Sequence, residues 1–308
     1  MNASKKDRAG NWGGLRTWII PFLLTVVFSS CRESVREYAA TESYPEDSTL
    51  NTIAVKKAMI LIAHDDDMCT MSGTISKLNR QGWEIQVLSF PLAEERNQAH
   101  RRACEAILDQ VSFYGFGQET YRNDLTDSTI AHEAIPKADF DKVFNRPLVE
   151  AEMIRRVNEF GPTVVFSLDN DIGGYGHPDH VLISQLVRDL AEADSIHPQY
   201  IYQSVYTRSM MERIMARHDE RMKKWGFEGG GWERAKRIYR VEGMPIPDVQ
   251  VNIVSEAEAK MAYLGSYNER ERKTIGFYIP AFEDYSAKEY FGIFDREFFR
   301  VLRPGTSR

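Results

Sequence analysis

The sequence predicts an α/β fold: a mostly parallel β-sheet with helices on both faces. Two observations predict it. From Lys56 onward, apolar runs of strand length alternate with helical segments long enough for right-handed crossovers. The first run then ends abruptly in "HDDD" at His64–Asp67. Polar chemistry at the carboxyl end of a buried strand is where sheets of this kind bind ligands.

"KAMILIA" (57–63) is a continuous apolar run of the fully buried strand type, and "SGTISKLNRQG" is a helix closing on Gly82. "WEIQVLSF" alternates and then turns wholly apolar, as a second strand does. Gln98–Gln110 is a helix with Ala103, Ile107 and Val111 on its apolar side. Later come the helix "PLVEAEMIRRVNEFG", the strand "PTVVFSL", the helix "PDHVLISQLVRDLAEA", and the strands "QYIYQSVY" and "VQVNIV". The last leads into the helix "SEAEAKMAYLGSYN". Thr207–Pro247 interrupts the alternation. It is rich in Arg, Lys and Met, carries Trp225, Phe227 and Trp232, and reads as an insertion over one end of the sheet or as a solvated helical excursion.

The chain has 308 residues, 43% of them hydrophobic and 27% charged, which is ordinary for a globular protein. A net charge of -6 argues against nucleic acid as the partner. Residues 1–31 are expected to lie outside the fold. Lys5, Lys6, Arg8 and Arg16 precede the apolar stretch Trp18–Phe28, which ends in "SSC" at Cys31. A basic start, a short apolar run and small residues describe an export signal. The small-small-Cys ending resembles a bacterial lipoprotein signal, although Phe28 stands where that pattern more often has Leu; an uncleaved anchor or an ordinary secretory signal are the alternatives. The expected organisation is a lipoprotein-type signal over 1–31, a flexible tether over 32–55, and one domain over 56–308 with an insertion at about 207–247. The expected location is the bacterial cell envelope, with the membrane reached through a lipid on Cys31. After Cys31 only Cys69 and Cys104 remain, with no CxxC spacing, and they read as two buried thiols.

The second chemical signal is "GGYGHPDH", Gly173–His180. Pro178 suits the first position of a helix, which makes His177 the residue before it and places His180 in its first turn. The two loops together offer His64, three aspartates, His177, Asp179 and His180. A catalytic zinc site needs three such ligands and an open position, with an uncoordinated base and an oxyanion stabiliser nearby. Histidines among the donors favour zinc or another divalent transition ion over magnesium or calcium. His100, His132, His197 and His218 stand in contexts without clustering and read as surface residues.

"AHDDD" followed by "SGT" and a helix resembles the "AHPDDE…GGT" signature of the PIG-L or LmbE-like N-acetylglucosaminyl deacetylases. "GHPDH" after "PTVVFSL" is similar to that family's second motif. "RACEAILDQVSFYGFG" resembles its R-x-x-E helix, and "VNIVSEAEAKMAYLGSY" its late strand and lysine-bearing helix. The resemblance covers roughly Lys56 to Phe291. It implies a Rossmann-like, LmbE-like fold and a zinc-dependent hydrolase that removes acetyl from an N-acetylated amino sugar. It also implies roles: His64, Asp67 and His180 as zinc ligands, Asp66 as general base, His177 facing the oxyanion, and Asp179 hydrogen-bonded to His177. The partner would be a small molecule or a glycan. Three departures stand out: Asp65 replaces proline, Met68 replaces glutamate, and "SFPLAEE" stands where a Thr-Asp-Gly-Glu type turn is usual. Asp65 is left without a role, as a solvent-facing or turn-capping residue or as a carboxylate behind His64, and Asp65→Pro is expected to be tolerated. The rival readings are hydrolysis of a different amide or acyl group, a catalytically silent carbohydrate-binding lipoprotein, and a nucleotide-binding Rossmann protein. The last lacks its glycine fingerprint after the first strand.

Overall fold

The computed structural model describes residues 34–90, 93–116, 120–122 and 133–305. Seven strands form one sheet in the order β3-β2-β1-β4-β5-β7-β6. β1 (Lys57–Leu61), β2 (Glu84–Ser89), β3 (Phe113–Gly115), β4 (Val164–Leu168) and β5 (Tyr200–Val205) run parallel. β7 (Arg296–Leu302) runs antiparallel between β5 and β6 (Val249–Asn252). The sheet is mostly parallel, as the alternation of runs predicts. β7 and β3 were not foreseen as strands, and the helix expected over Gln98–Gln110 spans Glu94–Glu105 instead.

Alternate residues of β1 face opposite layers, as the two-residue period of a strand requires. Ala58, Ile60 and Ile62 join one core with Ile75 and Leu78 of α1 (Ser72–Arg80), and with Ala99 and Ala103 of α2 (Glu94–Glu105). Met59, Leu61 and Ala63 join the other, with Met153 and Val157 of α3 (Arg146–Phe160) and Val181–Ile183 of α4 (Pro178–Glu192). α5 (Arg208–Lys224) and α6 (Gly231–Tyr239) complete that layer, while α7 (Ala257–Gly265) and α8 (Glu269–Tyr278) add to the first. Both faces are therefore covered. β1 pairs with β2 on one side and β4 on the other, so the chain reverses its winding between β1 and β4. The loops after these two strands meet at that switch point.

Two expectations need correction. Residues 34–55 are packed on the body and are no flexible tether. Val35, Tyr38, Leu50 and Ile53 are buried. Glu42 accepts hydrogen bonds from Thr207 and Ser209, and Tyr202 donates to Asp47 at 2.7 Å. These few apolar residues lack a period, but the turn holding Val35 and Tyr38 packs on Arg208–Lys224, and Glu46 bridges Gln250 on the outer edge of β6. His100 is no surface residue: it is fully buried on α2, while His218 is half-buried and His197 exposed. Within 207–247, α6 packs on the loop that follows β4, and its Trp232 and Ala235 are buried. The apolar run, "SSC" with Cys31, and His132 lie outside the described residues. Cys69 and Cys104 are free, buried thiols, as expected.

Candidate active site

β1 delivers His64 in extended backbone, and the chain then winds into a single 3-10 turn over Asp65–Thr70. Residues three apart eclipse in such a turn. His64 and Asp67 therefore share a side: the His64 N–H donates to Asp67 Oδ2 at 2.9 Å, and Asp67 Oδ1 lies 3.9 Å from His64 Nδ1. Asp65 is carried the other way, into the protein.

The loop after β4 is shaped by Asp169, whose buried carboxylate accepts the N–H groups of Asp171, Ile172 and Gly174 at 3.0, 2.8 and 2.7 Å. At Gly176 φ is +107°, and a Cβ there would fall 2.4 Å from that of Ala235 on α6, so the tight approach needs glycine. Pro178 opens α4, and His177 caps it. His180, only 1% exposed, donates through Nδ1 to the Gly173 carbonyl at 2.9 Å.

These hydrogen bonds fix both imidazoles. A carbonyl can only accept, so His180 carries its hydrogen on Nδ1 and presents an Nε2 lone pair. His64 Nε2 lies 3.1 Å from the Asp179 carboxylate, so its neutral form presents a lone pair on Nδ1. The two lone pairs face each other at 2.9 Å, with Asp67 Oδ1 3.0 Å from His180 Nε2. Three acceptors converging on one point require a positive charge between them. Imidazoles that give their far N–H to a carboxylate or a carbonyl are the habitual arrangement of metal-bound histidines. The separations of 2.9, 3.0 and 3.9 Å also bracket the ~3.4 Å between donors placed tetrahedrally ~2.1 Å from zinc. The donor set therefore fits a divalent transition ion. His177 is near enough to compete with Asp67, since ring nitrogens of His64, His177 and His180 lie within 4.8 Å of one another. Its Nδ1, however, already accepts the Asp179 backbone N–H at 3.2 Å.

Without a metal, a proton serves in its place. Burial disfavours the His64 imidazolium, but the Asp179 hydrogen bond and the Asp67 and Asp179 charges outweigh it and hold its pKa up at about 9. Burial also works against the Asp67 carboxylate, and the His180 charge and hydrogen bond overcome it to hold Asp67 ionised. His177 is driven the opposite way. Burial and the His180 charge bring it down to about 3, which leaves a neutral ring with its hydrogen on Nε2.

The six residues singled out from the sequence thus lie together. One relation differs from that implied by the resemblance. The Asp179 carboxylate binds His64 and accepts the Tyr121 hydroxyl, whereas its distance of 3.6 Å to His177 Nδ1 makes no hydrogen bond. Asp65 is also corrected: it is completely buried and does not face solvent. Arg96 of α2 bridges the turn, with Nε 2.6 Å from Asp65 Oδ1 and Nη2 2.7 Å from Asp66 Oδ1. Tyr263 of α7 and Tyr267, two residues beyond its end, donate to the Asp65 carbonyl at 3.2 and 2.9 Å. Burial, then the Asp66 charge, push the Asp65 pKa up to about 7 against the pull of Arg96, and burial raises Asp66 as well.

Sequence reasoning missed Arg96, Tyr121 and Asp169. Arg96 was findable, because it begins the helix after β2, whose carboxyl end neighbours that of β1. Tyr121 gave no signal, standing in a stretch without period. Arg102 and Glu105, the R-x-x-E pair, are exposed and away from this chemistry.

Part of the chain is similar to known proteins. Residues 59–191 match the family model PIG-L, described as GlcNAc-PI de-N-acetylase. A 1D-myo-inositol 2-acetamido-2-deoxy-alpha-D-glucopyranoside deacetylase from Mycobacteroides abscessus is 24% identical over 189 residues, 53% of this chain and 65% of that protein. Its namesake from Mycobacterium sp. (strain KMS) is 27% identical over 190 residues, 54% of this chain and 59% of that one. The chain thus spans less than two thirds of the length of these relatives. Among solved structures, a deacetylase of the teicoplanin biosynthesis pathway is similar with a TM-score of 0.48 and 13% identity, over 82% of this chain and all of that one. The matched stretch runs from β1 through α4 and holds both loops of the site, so the likeness to the PIG-L family is carried by somewhat less than half of the chain.

Proposed function

We propose that this protein is a zinc-dependent hydrolase that removes the acetyl group from an N-acetylated amino-sugar substrate, giving acetate and a free amine. The observation that carries the reading is the convergence of two imidazole lone pairs and the Asp67 carboxylate beside Asp66, at the switch point of the sheet. His64, Asp67 and His180 would hold the metal. A zinc ion held there supplies Lewis-acid polarisation of the amide carbonyl and lowers the pKa of a water molecule.

The remaining steps belong to the protein's own groups. Asp66 has its Oδ1 held by Arg96 at 2.7 Å. Burial raises its pKa, which suits a carboxylate that must take a proton from water and return it to the departing amine. His177, neutral with its hydrogen on Nε2, is suited to donate to the oxygen that becomes negative as the carbonyl is attacked. Asp179 and Tyr121 keep the His64 ring oriented. The names of the relatives support an N-acetylated sugar as the substrate class. Export and a lipid on Cys31 belong to the same proposal and rest on the sequence.

The test is acetate release from a panel of N-acetylated glycans by metal-free, zinc-reloaded and Asp66→Asn protein. Reloading should restore release, and Asp66→Asn should keep the metal while slowing turnover by about 10²–10⁴-fold. Zinc-loaded protein that binds glycans yet releases no acetate from any of them would make it a binding protein instead.

A further inference from the structure

The reacting residues stand between two cavities of opposite chemistry. The stacked rings of Tyr175 and Tyr278, with centroids 4.3 Å apart, border both. On one side lies a cleft of about 290 Å³ that contains His177 and is lined by Glu133, Asp219, Arg234 and Trp232. On the other side a smaller cavity, about 60 Å³, opens at one end onto Asp66, Asp67 and His180. Its walls include Leu168, Val205, Met211, Met244 and Ile275, all buried, and four hydroxyl side chains that already have protein partners: Ser204 donates to Thr70 at 2.9 Å, Tyr206 to the Tyr278 carbonyl at 3.3 Å and Thr274 to the Arg270 carbonyl at 3.4 Å.

An amide bound at this centre has two arms, and each must go somewhere. A sugar on the amine side carries hydroxyls, whose burial without partners costs several kcal/mol each. The cleft beside His177 offers them charged partners, whereas the smaller cavity has charged groups only at the reacting residues Asp66, Asp67 and His180. The acyl arm therefore belongs in the apolar cavity. An acetyl group would place a single methyl there. One water-sized group needs about 10–15 Å³ by the same measure, so the cavity has room for roughly four to six. Aliphatic side chains, and hydroxyls already engaged with protein partners, give water filling that space few hydrogen bonds, whereas methylenes lose nothing by entering it.

We propose that this cavity is an acyl-chain subsite, and that the substrates are N-acylated amines whose acyl groups extend to about four to six carbons, with acetyl accepted but not preferred. This rests on the hydrolase reading above. The reaction balances as it does for acetyl: water supplies the oxygen of the new carboxylic acid, the C–N bond breaks, and the proton passes to the amine.

Rates of amine release by zinc-loaded protein from N-acetyl-, N-propanoyl-, N-butanoyl- and N-hexanoylglucosamine test the proposal. Each methylene that enters the cavity should raise kcat/KM by about fourfold, so butanoyl should exceed acetyl by about tenfold or more. Rates that are highest for acetyl and fall with each added carbon would overturn it. A direct binding measurement separates this outcome from failure of the hydrolase reading. Butanoate should bind the protein about tenfold more tightly than acetate by calorimetry, even if no amide is cleaved, and equal or weaker binding refutes the subsite. Two substitutions push in opposite directions. Val205→Phe should shift the butanoyl-to-acetyl ratio back toward acetyl, and Met244→Ala should move the optimum to longer chains. Should the filled variant fail to fold, the enlarged one still decides: an unchanged optimum in folded Met244→Ala protein counts against the proposal.

Discussion

Replacing Arg96 by methionine keeps most of the side chain's bulk and removes the one guanidinium that bridges Asp65 and Asp66. Asp65 is 0% exposed, and the flanking Asp66 and Asp67 carboxylates are mostly buried, so three negative charges crowd one turn. Removing one partner of a buried ion pair typically costs about 3–5 kcal/mol. Arg96 is 32% exposed, which lets water screen part of the interaction, so the lower figure of about 2–3 kcal/mol is the better expectation. With a urea slope of about 3 kcal/mol per molar, the unfolding midpoint of metal-free protein should fall by about 1 M. Zinc should recover part of that loss, because a dication offsets the same repulsion and binds the folded state. Arg96→Lys should fall between, keeping the charge but not the fork that reaches two carboxylates. The double-mutant cycle with Asp65→Asn isolates the pair and should give a coupling of about 1–2 kcal/mol. A coupling below about 0.3 kcal/mol, with both single variants folded, would refute the brace. Asp65→Pro removes a buried partner of Arg96 as well, so the tolerance expected from the sequence gives way to destabilisation of similar size.

The identity of the third metal ligand separates two donor sets. Asp67→Ala should lose stoichiometric zinc while His177→Ala retains it, as read by elemental analysis; the reverse pattern would assign the three histidines. His100 makes the folded state acid-sensitive. Burial, then the Arg96 charge, bring its pKa down to about 4, so the unfolded chain takes the proton first. The stability it contributes is complete above pH ~6.5 and lost as pH falls from there to about 4, at most about 3 kcal/mol. His100→Leu should flatten that part of the urea-midpoint profile, and an unchanged slope would place the acid sensitivity in other groups. Finally, mass spectrometry of the mature protein should find a lipid on Cys31 that disappears in Cys31→Ala; an unmodified mature N-terminus in the wild type would end that idea.

The parts of this fold that were legible in the sequence are those specified by neighbours along the chain. The apolar runs of β1 and β4 are buried on both faces, so they read as unbroken hydrophobic segments, and each ends where its functional loop begins. Pro178 fixed the start of α4, and with it the places of His177 and His180. What failed to show depends on distant partners. β7 reads "REFFRVL", with charges at Arg296, Glu297 and Arg300 that argue against a strand in the body of a sheet. Two of the three are answered from afar: Glu297 pairs with Lys260 and accepts the Gly73 and Thr74 N–H groups, and Arg300 reaches Asp171 at 2.6 Å, while Arg296 pairs with its neighbour Asp295 at 2.9 Å.

Asp65 shows the same limit at the site itself. In extended backbone, alternation puts Asp65 on the side of Asp67. The 3-10 turn replaces that two-residue period with one of three, which pairs Asp67 with His64 and turns Asp65 toward α2 and α7. Nothing within "HDDD" states which period applies. The choice is made by groups brought from elsewhere: Arg96 receives Asp65, and the hydroxyls of Tyr263 and Tyr267 converge on its carbonyl. A proline there, as in the resembling motif, could make the carbonyl contacts but could not pair with Arg96. The third aspartate and Arg96 therefore belong together as one structural unit. It holds the two aspartates that face the reaction centre without joining them.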